Sequence, residues 1–140
     1  MERDRREWQC DPSARMQNTL RMAVAQEVNA AVPINRYYRS LNEMYRVAGF
    51  CVEDKDYERA FIYYMRFVSL AVEELPKHKQ YDGFSSVEKN KAEASLRDAV
   101  LKAEALKERL KKKYEEEAVI WAKRAEAAAA AAAALVLFVL

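Results

Sequence analysis

The sequence predicts an all-α protein, and three observations carry that prediction. Only 2 Gly and 3 Pro occur in 140 residues, while Ala, Glu, Lys, Arg and Leu are plentiful. Apolar residues recur every three or four positions along four successive stretches. Each stretch is bounded by a start or stop signal: Ser13, Pro33, the Asp54–Asp56 cluster, Pro76 and Ser85.

Residues 1–12 read as a disordered charged arm without the apolar stretch of a secretory signal. The first helix is expected from a Ser13 cap, with Met16, Leu20, Val24 and Val28 on one face, running until Pro33 interrupts it. Asn35 is the expected cap of the second. Its stripe is Tyr37, Leu41, Met44, Ala48 and Cys51, widened by Tyr38, Tyr45 and Val52. Asp54 or Asp56 suits the positive N-terminal end of the third helix. That helix carries Tyr57, Ala60, Phe61, Tyr64, Phe67, Val68, Ala71 and Leu75, and is expected to end at Pro76. Residues 77–84 read as a loop with Gly83 as its flexible point.

Ser85 and Glu88 have capping-box spacing. A long fourth helix follows, with a heptad-like seam of Ala92, Leu96, Ala99, Ala103, Leu106 and Leu110. This seam either packs back on the other helices or pairs, in its distal part, with a second chain; its alanines bury little area, so a dimer through it alone would be weak. No later Gly or Pro stops the helix, which at about 1.5 Å per residue extends roughly 80 Å to the chain end. Ala127–Ala134 is an unbroken alanine run followed by Leu-Val-Leu-Phe-Val-Leu. This apolar stretch is shorter than the ~20 residues that span a bilayer. The favoured reading of this tail is a translation or gene-model artefact, or disorder in water, against a helix continued to the chain end; a shallow anchor to a membrane or partner is the functional alternative. The division is thus 1–12 arm, 13–118 helical domain, 119–140 helical extension and tail.

Composition narrows function by exclusion. With 24 basic and 22 acidic residues, no dominant basic surface points to nucleic acid. Cys10 and Cys51 read as reduced thiols, Cys51 as a small core residue. The one histidine, His78, lies between two lysines and reads as a solvated loop residue. It cannot supply the several ligands of a zinc hydrolase, and there is no cysteine-nucleophile motif or glycine-rich phosphate loop. No catalytic, metal or cofactor residues are therefore assigned.

One face does suggest binding. Arg59, Ile62, Tyr63, Arg66 and Leu70 lie opposite the core stripe of the third helix. They suit an acidic amphipathic helix, with Tyr63 and Leu70 as apolar anchors and Arg59 and Arg66 pairing carboxylates. The competing reading, given slightly more weight, is that this helix is central and buries both faces.

The order of the motifs points to a family. Pro33-Ile34-Asn35-Arg36-Tyr37-Tyr38-Arg39-Ser40 resembles the entry segment of the N-terminal domain of AMSH-type deubiquitinases. Glu58-Arg59-Ala60-Phe61-Ile62 with Tyr64 resembles that domain's third helix, and Leu75-Pro76-Lys77-His78 its leucine-proline-x-histidine signature. Glu88-Lys89, Lys102–Lys107 and Lys113-Tyr114 are similar to its long last helix. A related domain precedes a ubiquitin-specific protease, where it is called a dimerisation domain. The resemblance covers roughly residues 20–118. It implies a divergent MIT-like bundle of three to four helices with a long projecting C-terminal helix. It also implies a non-catalytic module that docks C-terminal helices of ESCRT-III subunits, cytoplasmic and peripheral to endosomes. The family's catalytic JAMM zinc domain has no counterpart here, and its polar last helix is replaced by the alanine run. A homodimeric helical scaffold is the main alternative. A regulatory subunit for another chain's enzyme is another, and a tetratricopeptide array is disfavoured by the lack of a ~34-residue repeat.

Overall fold

The computed structural model describes residues 11–140, and the proposed arm, with Cys10, lies almost wholly outside them. The described residues form four α-helices and no strand: α1 Pro12–Met22, α2 Ile34–Glu53, α3 Tyr57–Ser69 and α4 Val87–Val139. The chain divides into two compact units, one of residues 19–109 and one pairing the described N-terminal residues up to Asn18 with Leu110–Leu140.

In the larger unit, α2 and α3 are antiparallel neighbours joined by a tight turn. Lys55 takes a left-handed φ of 60° there, and the Asp56 carboxylate accepts the Arg59 N–H at 3.2 Å as the α3 cap. The apolar periodicity of α3 gives a buried Ala60, Phe61, Ile62, Tyr64 and Phe67. On α2 the buried set is Ile34, Tyr38, Leu41, Ala48 and Cys51. Tyr38 rather than Tyr37 is buried, and Val52 is exposed, so the inner stripe of α2 is narrower than expected. Ala92, Ala99, Ala103 and Leu106 of α4 are buried, so within this unit the seam packs back as one of the two expected arrangements. Cys51 is a buried free thiol whose pKa is raised by loss of solvent.

Several local expectations are corrected by longer-range hydrogen bonds. The α1 cap is Asp11, whose Oδ1 accepts the Ala14 N–H at 3.1 Å, and Pro12 occupies the first helical position where its missing N–H costs nothing. This helix ends at Met22, not near Pro33, and the Arg66 guanidinium satisfies the Met22 carbonyl at 2.8 Å. Asn35 does not cap α2; its Oδ1 accepts the Ser86 hydroxyl at 2.7 Å, while the Ile34 N–H is taken by the Gln80 side chain at 3.0 Å. Ser86, not Ser85, caps α4 by accepting the Lys89 N–H at 3.0 Å. After Ser69 the chain passes through a wide π-turn, Leu70–Glu74, and a 3₁₀ turn, Leu75–Lys77, which absorbs Pro76.

His78 is the largest departure. It is 4% exposed, not solvated. Its Nδ1 accepts the Gln80 N–H at 3.0 Å, which places the proton on Nε2 facing the Val32 carbonyl at 2.7 Å. The Tyr37 ring meets the imidazole edge-on, centroids 5.9 Å apart.

In the smaller unit, the Arg15 guanidinium lies 4.1 Å over the Tyr114 ring and pairs with the Glu117 carboxylate. Tyr114, one turn past Leu110, is buried. Beyond it the alanine run and Leu135–Val139 continue α4 as helix with exposed side chains, so the tail is not unstructured. Among the described residues no helix is long and apolar enough to cross a membrane.

Candidate docking surfaces

The α3 face singled out in the sequence is only partly accessible. Ile62 and Leu70 are 7% and 4% exposed, so both are walls of the core; Leu70 in particular is not free to act as an anchor. Arg66 is half-buried and occupied by the Met22 carbonyl, with its guanidinium 5.9 Å over the Tyr63 ring. Arg59 stays exposed, 3.9 Å from Asp56. A shallow depression of about 320 Å³ gathers Arg59, Ile62, Tyr63 and Arg66 with Met22, and a neighbouring one of about 540 Å³ takes in Leu70 with Tyr37 and Met44. On this face Ile62 and Leu70 are buried, Tyr63 and Arg66 are half-buried, and Arg59 is exposed.

A larger cleft, about 650 Å³, runs between α2 and the first turns of α4. The sequence reading missed it because its walls lie some forty residues apart. Tyr45 and Tyr64 form its floor, and Arg39, Asn42, Glu43, Arg46 and Gly49 on α2 face Val87, Glu88, Lys91 and Lys102 on α4. The rings of Tyr45 and Tyr64 meet edge-to-face at 5.9 Å. Four cations and two carboxylates line it, and three of the cations are paired: Arg46 with Glu43, Arg39 with Glu88 at 3.7 Å, and Lys102 with Asp98 at 2.8 Å. Lys91 is exposed and has no ion-pair partner among the described residues. The rim is therefore positive, and the floor aromatic, which suits an amphipathic helix bearing carboxylates.

One polar cluster closes the base of this cleft. The Tyr45 hydroxyl donates to Asp98, and Lys102 pairs with the same carboxylate at 2.8 Å. The Lys102 ammonium sits 5.7 Å and 5.9 Å over the Tyr45 and Tyr64 rings. Hydrogen bonds from Lys102, then Tyr45, hold the Asp98 carboxyl below its ordinary range, while the Asp98 bond pushes the Tyr45 hydroxyl and Lys102 up. A carboxylate with a depressed folded pKa stabilises the fold above its unfolded value, about pH 4, and that contribution disappears as pH falls through the folded one. Asp98→Asn is expected to flatten the loss of stability below about pH 4 in acid unfolding monitored by circular dichroism. An unchanged acid limb would show that the carboxylate is not ionically engaged.

Among the described residues no group of three or more His, Cys, Asp or Glu side chains could hold a metal ion.

Residues 10–117 match the family described as the USP8 dimerisation domain. The rat STAM-binding protein is 36% identical over 107 residues, which cover 76% of this chain and 25% of that protein. The STAM-binding protein-like protein of Xenopus laevis is 36% identical over 107 residues, 76% of this chain and 26% of the relative. The human AMSH-like protease is 32% identical over 104 residues, 74% of this chain and 24% of the relative. The chain thus spans about a quarter of the length of these relatives. This match over most of the chain gives one conclusion: the chain belongs to the USP8 dimerisation domain family, a protein–protein interaction module also present in STAM-binding and AMSH-like proteins.

Proposed function

We propose that this domain recruits its host polypeptide to endosomal sorting sites by docking C-terminal helices of ESCRT-III subunits, without catalysis of its own. It acts on the cytoplasmic side of endosomes, in the handling of ubiquitinated cargo. The observation that supports this reading best is the cleft between α2 and α4, open, aromatic-floored and positive at its rim. A single short helix in one such cleft binds at about micromolar Kd, near −8 kcal/mol. Arg59, Ile62, Tyr63, Arg66 and Leu70 make the rival seat on α3, of which Arg59 and Tyr63 are the accessible members.

A second reading, a homodimeric helical scaffold, is favoured by the family's description as a dimerisation domain and by exposed Leu101 on α4.

Fluorescent C-terminal helices of the ESCRT-III subunits, titrated with the full chain, separate these readings. Saturable micromolar binding to one of them is expected, weakened about tenfold by Lys91→Glu and little by Arg59→Glu. The converse pattern moves the site to α3. Absence of binding, with a mass that rises with concentration in light scattering, replaces docking by self-association.

A further inference from the structure

Gly49 has no internal reason to be glycine. It lies inside α2, and a Cβ built on it would meet nothing within 4 Å. Its φ is not positive, since Gly83 alone among the glycines takes that conformation. Glycine is among the poorest helix formers, so an unneeded one in a helix interior weakens the helix that carries it. Neither packing nor backbone geometry demands that weakening here.

Position 49 is also part of the cleft wall, one turn beyond Tyr45 and Arg46. The absent side chain leaves bare backbone on a cleft that Arg46, Lys91 and Lys102 also line, and the Arg46 guanidinium lies 5.2 Å over the Phe50 ring. Phe50 is itself 50% exposed. Small residues at a helix crossing let two backbones approach to the near end of the usual 8–10 Å interaxial range. A gap of this kind, on a cleft whose cations outnumber its carboxylates, fits one occupant: an acidic amphipathic helix of a partner protein, crossing α2 with a small residue of its own over the gap.

We infer that Gly49 is the crossing point at which a partner's acidic helix packs backbone-close against α2, a carboxylate of it reaching Lys91, the one cleft cation without an ion-pair partner among the described residues. The inference rests on the docking reading above and adds the register of the complex and the reason for the glycine. A side chain at 49 would leave the fold intact and occupy the space the partner needs.

The test uses the full chain with Gly49→Ala and Gly49→Leu, thermal melts of each, and the ESCRT-III C-terminal helices as probes. Gly49→Ala is expected to melt about 2–6 °C above the parent. It should bind the probe a few-fold more weakly. Gly49→Leu is expected to melt no lower than the parent and to lose at least tenfold in affinity, as a bulky side chain at a close-packed contact should. If Gly49→Leu is folded and binds within twofold of the parent, the crossing point is wrong while docking stands. A Gly49→Ala protein that melts below the parent reveals an internal need for glycine and overturns the inference directly. Should the parent bind none of the probes, the docking reading fails and the crossing point falls with it.

Discussion

Phe67→Ala is expected to destabilise the domain by about 3–5 kcal/mol, the usual cost of deleting a fully buried aromatic ring. Phe67 is 0% exposed and lies midway along the buried stripe of α3. Its ring is tilted 51° against that of Tyr45, centroids 5.8 Å apart, and Tyr45 in turn meets Tyr64 and Asp98. Truncation removes the transfer energy of the ring and leaves a void beneath the α2–α4 cleft, which the surrounding aromatics cannot close without leaving their rotamers. Against a typical total of about 5–15 kcal/mol, such a loss leaves little margin. Urea unfolding should show a large fall in midpoint with an unchanged slope. A change below about 1 kcal/mol would mean that α3 is not the central helix.

His78→Ala is the second large effect, expected at about 2–3 kcal/mol from a buried acceptor left without its donor together with a cavity. The imidazole joins two segments 46 residues apart, the loop after α3 and the approach to α2. It takes the Gln80 N–H and donates to the Val32 carbonyl, and the Gln80 side chain then satisfies the Ile34 N–H in the first turn of α2. Loss of the ring therefore loosens the start of α2 as well as the loop. Hydrogen exchange should accelerate at the Gln80 and Ile34 amides before it does in α3. His78→Gln, which keeps a donor able to reach Val32, is expected to recover part of the loss. Stability within about 0.5 kcal/mol of the parent would show that water replaces both bonds.

The contrast between α3 and His78 shows what was legible in the sequence. The α3 stripe was read correctly because a helical period places Ala60, Phe61, Tyr64 and Phe67 on one side whatever the rest of the chain does. Asp56 is one of the two caps the local sequence offered, and the burial of Ala92, Ala99 and Ala103 is one of the two arrangements left open for the seam. His78 was misread because its neighbours are lysines, and its partners, Val32 and Tyr37, are brought to it only by the chain reversal.

Ser85 and Ser86 are locally equivalent caps; the choice of Ser86 coincides with a hydrogen bond to Asn35, 51 residues away. The same bond explains why Asn35 is not itself a cap. The early end of α1 has no Gly or Pro signal, and the carbonyl left free there is satisfied by Arg66, 44 residues on.

Candidate surfaces divide along the same line. The α3 face was visible as a periodic pattern, but periodicity does not show that Leu70 and Ile62 are covered. The α2–α4 cleft was invisible as a pattern because no single helix contains it. One signal did lie in the sequence, a glycine within an otherwise strong helical stripe at position 49.

Seating of an acidic helix in the positive cleft between α2 and α4 is tested by following the ESCRT-III titration through backbone amide shifts of the isotopically labelled chain. The shifts are expected to concentrate at Arg39–Phe50 of α2 and Val87–Lys102 of α4, with Gly49 among the largest, while Arg59, Tyr63 and Arg66 move little. Shifts gathered on α3 around Arg59 and Tyr63, with Gly49 and Lys91 unmoved, would contradict it.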